Sequence, residues 1–133
     1  MNTLRVQSNL PPELESLMRD TIGCCIAVHR ELGPGMNEGV YSRAVCIELE
    51  ARGIPFEAEK PVSIRYRGQL VCQQRIDLLV DGRLVLEIKS VEQIHPVHVA
   101  QVVSYLRIIG ARVGLVVNFN VPVLKQGLRR VVL

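Results

Sequence analysis

The chain has 133 residues, a mass of 14.9 kDa and a formal net charge of +3 at pH 7. A hydrophobic fraction of 48% and a mean hydropathy of +0.22 exclude an intrinsically disordered protein, and the length suits one domain, residues 1–133, with its own core. The sequence shows neither a signal segment nor an apolar run of about 18 residues, so we expect a cytoplasmic protein that does not enter the membrane.

The cysteines lack the spacing of a zinc site or a disulfide framework. Cys24 and Cys25 are adjacent, Cys46 and Cys72 are isolated, and no C-x-x-C pair occurs. We therefore expect buried free thiols in a reducing compartment.

Three helices are predicted from apolar residues at helical spacing and from the residues that end each run. Pro11 and Pro12 suit the first turn of the first helix, and the Gly-Pro-Gly run at 33–35 ends it. The N-terminal segment 1–9 has no periodicity and is predicted to be a flexible arm. The predicted helices cover residues 11–32, 37–52 and 96–109.

The apolar period changes to two after the second helix, which predicts strands. Pro61 interrupts the first extended segment and favours an edge position or a bulge there. The predicted strands cover residues 56–59, 62–66, 70–80, 83–91, 112–119 and 123–133. The order ααβββαβ(β) predicts an α+β, or mixed α/β, fold with one mixed central sheet flanked by helices.

Two carboxylates and an amine stand in the otherwise apolar strands of the central hairpin, residues 70–80 and 83–91. Asp77 lies on the first of these strands, and Glu87 and Lys89 lie on the second. Residues i and i+2 of a strand share a face, so Glu87 and Lys89 point the same way. Carboxylate oxygens are ligands for Mg²⁺ and Mn²⁺, and a neighbouring lysine stabilises charge on a phosphate. The pattern favours metal-assisted hydrolysis of a phosphodiester.

A plain salt bridge is the alternative interpretation of the same residues. An aspartate and a lysine paired on a solvated sheet face would have the same spacing. These residues alone do not distinguish the two readings.

The turn at Asp81 and Gly82 decides whether Asp77 meets Glu87. A two-residue turn would pair Asp77 with Leu86 and direct the aspartate to the opposite face. The metal-site hypothesis therefore predicts a three-residue loop or a bulge, with Gly82 in a left-handed conformation.

Several blocks of the sequence resemble one protein family. Residues 35–41 read G-x-x-E-x-x-Y, which resembles the signature of the GxxExxY proteins, a family assigned to the PD-(D/E)XK nuclease superfamily. The further matching blocks are YRG (66–68), RxDLLV (75–80), LEIK (86–89), PVHxAQxxxYL (96–106) and VGLxxNF (113–119).

This resemblance implies a restriction-endonuclease-like core of order αβββαβ. It implies that Glu38, Asp77 and Glu87 bind Mg²⁺, with Mn²⁺ as the alternative ion. It also implies that Lys89 activates the attacking water or the phosphate.

The third helix has one polar stripe. His98, Gln101 and Tyr105 fall at i, i+3 and i+7, on one face of an otherwise apolar helix. Gln101 and Tyr105 also match the Q-x-x-x-Y motif of the exonuclease branch of the superfamily, which implies a supporting catalytic role. His98 is a candidate for contacting substrate, with a structural histidine as the alternative. Tyr41, one turn after Glu38, is a candidate for supporting that carboxylate or for packing in the core.

Two functions are compatible with the sequence. The first is a Mg²⁺-dependent nuclease that hydrolyses DNA or RNA by a metal-activated water without a covalent intermediate. The second is a catalytically inactive module of the same fold that binds nucleic acid or a protein. Because the chain is short for a separate recognition domain, a homodimer or a partner protein is a candidate for supplying substrate recognition.

Overall fold

A five-stranded mixed sheet with helices on both faces organises the chain in the computed structural model, which describes residues 10–133. The predicted flexible arm, residues 1–9, lies outside the described residues. The elements are α1 (Pro12–Leu32), α2 (Glu38–Ala51), β1 (Phe56–Tyr66), β2 (Gln69–Val80), β3 (Leu84–Lys89), α3 (Pro96–Ile109), β4 (Val113–Asn118), a 3-10 turn (Leu124–Gly127) and β5 (Leu128–Val132). This confirms the predicted α+β class and element order.

The strands lie in the sheet in chain order, from β1 to β5. The first three form an antiparallel meander, and β4 pairs in parallel with β3 after the crossover through α3. The last strand returns antiparallel to β4. The parallel pair is therefore central, and every residue of β4 is buried, as its continuous apolar run predicts.

Two apolar layers fix the helices to the sheet. The layer under α1 and α2 contains Met18, Val45 and Leu86, whereas the layer under α3 contains Val85 and Leu106. Successive residues of β3 thus pack on opposite faces, which is the strand period of two seen in the sequence.

The structure corrects two predicted strands. The edge position predicted from Pro61 is confirmed, but the break predicted there does not occur, because β1 runs through it. The irregular points of β1 are Glu59, with a φ of 51°, and a register shift between Ile64 and Arg65. The final strand is also shorter than predicted, because the segment from Leu124 to Gly127 forms a 3-10 turn. A side chain at Gly127 would stand 2.1 Å from the carbonyl oxygen of Asn118, so this turn needs glycine.

The central hairpin has the three-residue loop that the metal-site hypothesis predicts. Val80 pairs with Leu84, which leaves Asp81, Gly82 and Arg83 in the loop. Asp81 and Gly82 both have positive φ, at 51° and 65°. The predicted loop length and the left-handed Gly82 are therefore confirmed.

Candidate active site

Asp77 and Glu87 meet where strands β2 and β3 stop pairing. The last paired residues of this ladder are Leu78 and Leu86, so the next position brings Asp77 opposite Glu87. The Asp77 backbone N–H donates to Glu87 Oε1 at 3.2 Å, and the Ile88 backbone N–H donates to Asp77 Oδ2 at 2.8 Å. At the point where the strands separate, each carboxylate thus accepts a hydrogen bond from a backbone N–H, in place of a carbonyl oxygen of the neighbouring strand.

The backbone of β2 is irregular at the same point. Ile76 and Leu79 pack in the layer under α3, although residues three apart in a regular strand point to opposite faces. Leu78 and Val80 pack in the other layer. The alternation of β2 is therefore interrupted at Asp77, opposite Glu59 of β1, whose φ is 51°, without a shift of the β1–β2 register at that point.

Burial makes ionisation of these carboxyl groups unfavourable. Glu87 is only 3% exposed, and burial, followed by the nearby Asp77 charge, raises its pKa to about 8. The pKa of Asp77 is also raised, chiefly by burial, although the Ile88 N–H and Lys89 oppose the rise. A buried acid next to a half-buried one favours a bound cation or a proton.

Lys89 lies beside the pair on β3. Its Nζ is 4.0 Å from Glu87 Oε2, and its side chain is 17% exposed. The backbone oxygen of Lys89 accepts a hydrogen bond from the Phe119 N–H at 2.9 Å, which fixes this end of β3 beside β4. The predicted shared side of Glu87 and Lys89 is thus observed, with the amine partly open to solvent.

Glu38 lies at the start of α2, on the rim of the same region. Its Oε1 accepts the Ser90 backbone N–H at 3.4 Å, and Ser90 Oγ donates to the Met36 carbonyl oxygen at 2.6 Å. Glu38 and Asp77 both line a cleft of about 400 Å³ between α2 and β2. The turn before α2 therefore brings a third carboxylate to the sheet.

Tyr41 fixes that turn. Its hydroxyl donates to the Gly33 carbonyl oxygen at 2.5 Å and accepts the Met36 N–H at 3.1 Å. Its ring is fully buried and stacks on Phe119, with ring centroids 4.5 Å apart. Tyr41 thus packs in the core and positions the segment before Glu38, rather than bonding to the carboxylate.

Replacing Tyr41 by phenylalanine should remove both hydrogen bonds while keeping the stacked ring. We expect a loss of about 1–2 kcal/mol of stability, because the Gly33 carbonyl and the Met36 N–H lose a partner. A thermal melt measures this as a fall of roughly 5 °C in Tm. The matched control is Tyr66→Phe, since Tyr66 is 70% exposed. Equal melting temperatures for the two variants would contradict this role.

The polar stripe of α3 contacts β2 and not the carboxylates. Gln101 Nε2 donates to the Tyr105 hydroxyl at 3.1 Å, and that hydroxyl donates to Gln74 Oε1 at 3.2 Å. His98 and these three residues line a groove of about 410 Å³ between α3 and the β1–β2 hairpin. The supporting roles of Gln101 and Tyr105 remain predictions, and Gln74 is a partner that the sequence did not reveal.

His98 has a local structural role that the sequence left open. Its Nδ1 accepts the His95 backbone N–H at 3.1 Å, at the start of α3. Burial and the neighbouring Lys89 charge lower its pKa, so the neutral ring is favoured. His98 therefore caps the helix beside the candidate site.

Asn118 is a residue near the site that the sequence did not single out. Asn118 is 2% exposed and bonds through its amide to both the N–H and the carbonyl of Val91, which fixes the segment after β3. A polar residue ending an apolar strand was the available signal for it.

Of the four cysteines, Cys72 is exposed on β2, so the prediction of buried thiols is wrong for that residue.

The donor set fits a cation held by two carboxylates. Over residues 10–133, no group of three or more His, Cys, Asp or Glu side chains is close enough to enclose a metal ion. Mg²⁺ is commonly bound through one or two carboxylates, with water and substrate phosphate as the other ligands. Asp77 and Glu87 meet that requirement, and Glu38 lies along the same cleft.

The fold and these carboxylates define a class of protein that comparison with known families identifies. Residues 15–131 match the PD-(D/E)XK nuclease superfamily. The chain belongs to this superfamily, whose nucleases generally use divalent metal ions. The narrower resemblance to the GxxExxY proteins is consistent with this membership. No curated protein and no solved structure matches the chain.

No helix within residues 10–133 is long and apolar enough to cross a membrane.

Proposed function

We propose that this protein is a nuclease that hydrolyses phosphodiester bonds of DNA or RNA with Mg²⁺, or Mn²⁺, bound by Asp77 and Glu87. The observation that carries the proposal is the meeting of the buried Glu87 and the half-buried Asp77 beside a lysine, at the end of the β2–β3 ladder. Such an arrangement raises the pKa of both acids and favours a divalent cation as their counter-charge.

The cation, when bound, supplies neutralisation of phosphate charge and a more acidic attacking water. Asp77 and Glu87 provide oxygen ligands of the hard type that Mg²⁺ prefers. Glu38 is proposed as the third acid, because it lines the same cleft as Asp77. Its exposed position suits a contact made through water.

Lys89 is proposed as the residue that acts on the phosphate. Its ammonium lies 4.0 Å from Glu87 and remains partly accessible, so it can donate to a phosphate oxygen next to the carboxylates. Charge develops on those oxygens as the phosphodiester is attacked, and a fixed donor stabilises it. Gln101 and Tyr105 support the site from α3 through Gln74.

Replacing Lys89 by glutamine should lower cleavage at least about 100-fold while metal binding persists, because one donor to the developing charge is lost. The test is cleavage of labelled DNA and RNA oligonucleotides in Mg²⁺, in Mn²⁺ and in chelator. The matched control is Lys125→Gln, an exposed lysine on the 3-10 turn. Cleavage that survives in Lys89→Gln, or that persists in chelator, would contradict the proposal.

A second candidate is a non-catalytic module that binds nucleic acid or a protein. It is favoured by the hydrogen bonds that Asp77 and Glu87 already accept from backbone N–H groups, which give each side chain one partner without a metal. In that case wild type would bind oligonucleotides and cleave none in either metal. A homodimer or partner protein that supplies recognition belongs to both candidates. We propose the cytoplasm as the compartment, in line with four free cysteines.

A further inference from the structure

The hairpin of β1 and β2 extends well beyond the rest of the sheet. Strand β2 pairs with β1 as far as Gln69, but it pairs with β3 only over Leu78–Val80. Every residue from Gln69 to Arg75 is exposed. We call residues 62–75 the arm: a two-stranded ribbon that has no third strand beside it within the described residues.

The arm has a defined shape. Tyr66 pairs with Gln69 across a two-residue turn, in which Arg67 and Gly68 have φ values of 51° and 79°. Positive φ at both central residues is the geometry of a type I′ turn, whose twist matches that of the paired strands. The register shifts once within the arm, between Ile64 and Arg65, where Val71 is left out of the ladder. The tip is therefore a narrow ribbon end and not a loose loop.

The arm is basic. Arg65, Arg67 and Arg75 are exposed, and no Asp or Glu occurs anywhere between residues 60 and 76. The formal net charge of the whole chain is +3, so the residues other than these three arginines have a formal net charge of zero. Arg75 has one distant ion pair, 3.9 Å from Glu59 with both groups exposed, whereas Arg65 and Arg67 have no ion pair among the described residues.

The base of the arm is fixed next to the candidate active site. Val62 is buried under α3, and Gln74 accepts the hydrogen bond from Tyr105. Asp77 follows two residues after Arg75 on the same strand. At about 3.3 Å per residue, β2 between Asp77 and Gln69 spans about 25 Å, which is close to 8 base pairs of duplex.

We propose that the arm binds duplex DNA by lying in its major groove, with Arg65 and Arg67 on the flanking phosphates. This rests on the proposed nuclease function and names duplex DNA as the substrate class. The major groove of B-form DNA, about 12 Å wide, admits a two-stranded β-ribbon, whereas the major groove of A-form RNA is too narrow. The exposed Tyr66, Leu70 and Val71 provide apolar contacts for base edges such as the thymine methyl.

A second copy of the chain is a poorer occupant of the arm. Pairing two arms edge to edge would bring three arginines of each copy together without a carboxylate on either. Like charges across adjacent strands are destabilising. Phosphates complement this charge, so the arm suits nucleic acid.

The test is fluorescence anisotropy with a labelled B-form DNA duplex in chelator, where cleavage is blocked, over a range of salt. The variant is Arg65→Gln/Arg67→Gln. The control is Arg107→Gln/Arg112→Gln, two exposed arginines outside the arm, near the end of α3 and directly before β4. We expect the arm variant to bind roughly 10- to 100-fold more weakly near 0.1 M salt, with a salt slope shallower by about two. The same change should be much smaller on double-stranded RNA.

Cys72 provides a second readout that needs no variant. It lies on the arm as the exposed cysteine, whereas burial raises the pKa of the Cys24, Cys25 and Cys46 thiols and slows their reaction. Duplex DNA should therefore protect the fast-reacting thiol from an alkylating reagent.

Equal losses in the arm variant and the control would overturn the proposal. So would an effect seen only with single-stranded DNA or with RNA, or a Cys72 thiol that duplex DNA leaves unprotected. Failure of the nuclease function looks different: a chain that cleaves nothing but shows arm-dependent binding keeps this inference and loses the catalytic one. A chain that cleaves duplex DNA but whose binding does not depend on the arm keeps the nuclease function and loses this inference.

Discussion

Replacing Glu87 by glutamine is expected to abolish cleavage and, at the same time, to raise the melting temperature of the metal-free protein at about pH 8. Glutamine keeps an oxygen that accepts the Asp77 N–H, but it removes a negative charge that is 3% exposed and adjacent to a second carboxylate. Relief of that buried charge should stabilise the fold by a few kcal/mol, or about 5–10 °C in Tm. Cleavage should fall at least about 100-fold, because a ligand for the cation is lost.

The two effects together separate a functional carboxylate from a structural one. The matched control is Glu50→Gln, an exposed glutamate of α2, which should change neither cleavage nor Tm. A Glu87→Gln protein that melts below wild type in chelator would mean that the carboxylate stabilises the fold. That result would favour the salt-bridge interpretation of Glu87 and Lys89.

The stability of the metal-free protein should fall as the pH rises from about 4.5 to about 8 and level off above that. The pKa of Glu87 is raised from 4.5 to about 8, and that of Asp77 is raised in the same direction. A raised pKa in the folded state means that the stabilising contribution of the protonated group is complete below pH 4.5. It is lost progressively as the pH rises from 4.5 to 8, because the unfolded chain releases the proton that folded Glu87 keeps, and the loss is complete once the folded group also ionises.

A divalent cation should reverse this loss. Added Mg²⁺ or Mn²⁺ is expected to raise Tm at about pH 8 and to have little effect at about pH 5, because protonated carboxyl groups do not bind cations. Thermal melts of wild type and Glu87→Gln, each in chelator and in metal, measure the difference. If both proteins show the same pH profile, or if metal stabilises them equally at both pH values, the raised pKa of Glu87 is not the cause.

The parts of the fold that local sequence determines were predictable. The apolar runs of β3 and β4 indicated buried strands, and the bounds of α3 agree with Pro96 and Gly110. The i, i+2 spacing of Glu87 and Lys89 predicted their shared side. The loop length at Asp81–Arg83 was predicted because only one register brings Asp77 to Glu87.

What could not be predicted depends on contacts between distant parts of the chain. The bond from Tyr105 to Gln74 and the bond from Ser90 to the Met36 carbonyl join residues with no local signal in the sequence. The backbone bonds accepted by Asp77 and Glu87 arise because the strands separate there, which alternation alone does not reveal. Pro61 correctly indicated an edge strand, which tolerates its missing N–H, but the break predicted there does not occur.

The central claim is that Asp77 and Glu87 form one divalent-cation site, and calorimetric titration with Mn²⁺ at about pH 8 tests it most directly. Wild type should bind one ion per chain and release protons on binding, because the pKa of Glu87 lies near this pH. Glu87→Gln should lose that binding, whereas Glu50→Gln should keep it. Binding that is unchanged in Glu87→Gln, or no binding by wild type, would contradict the claim.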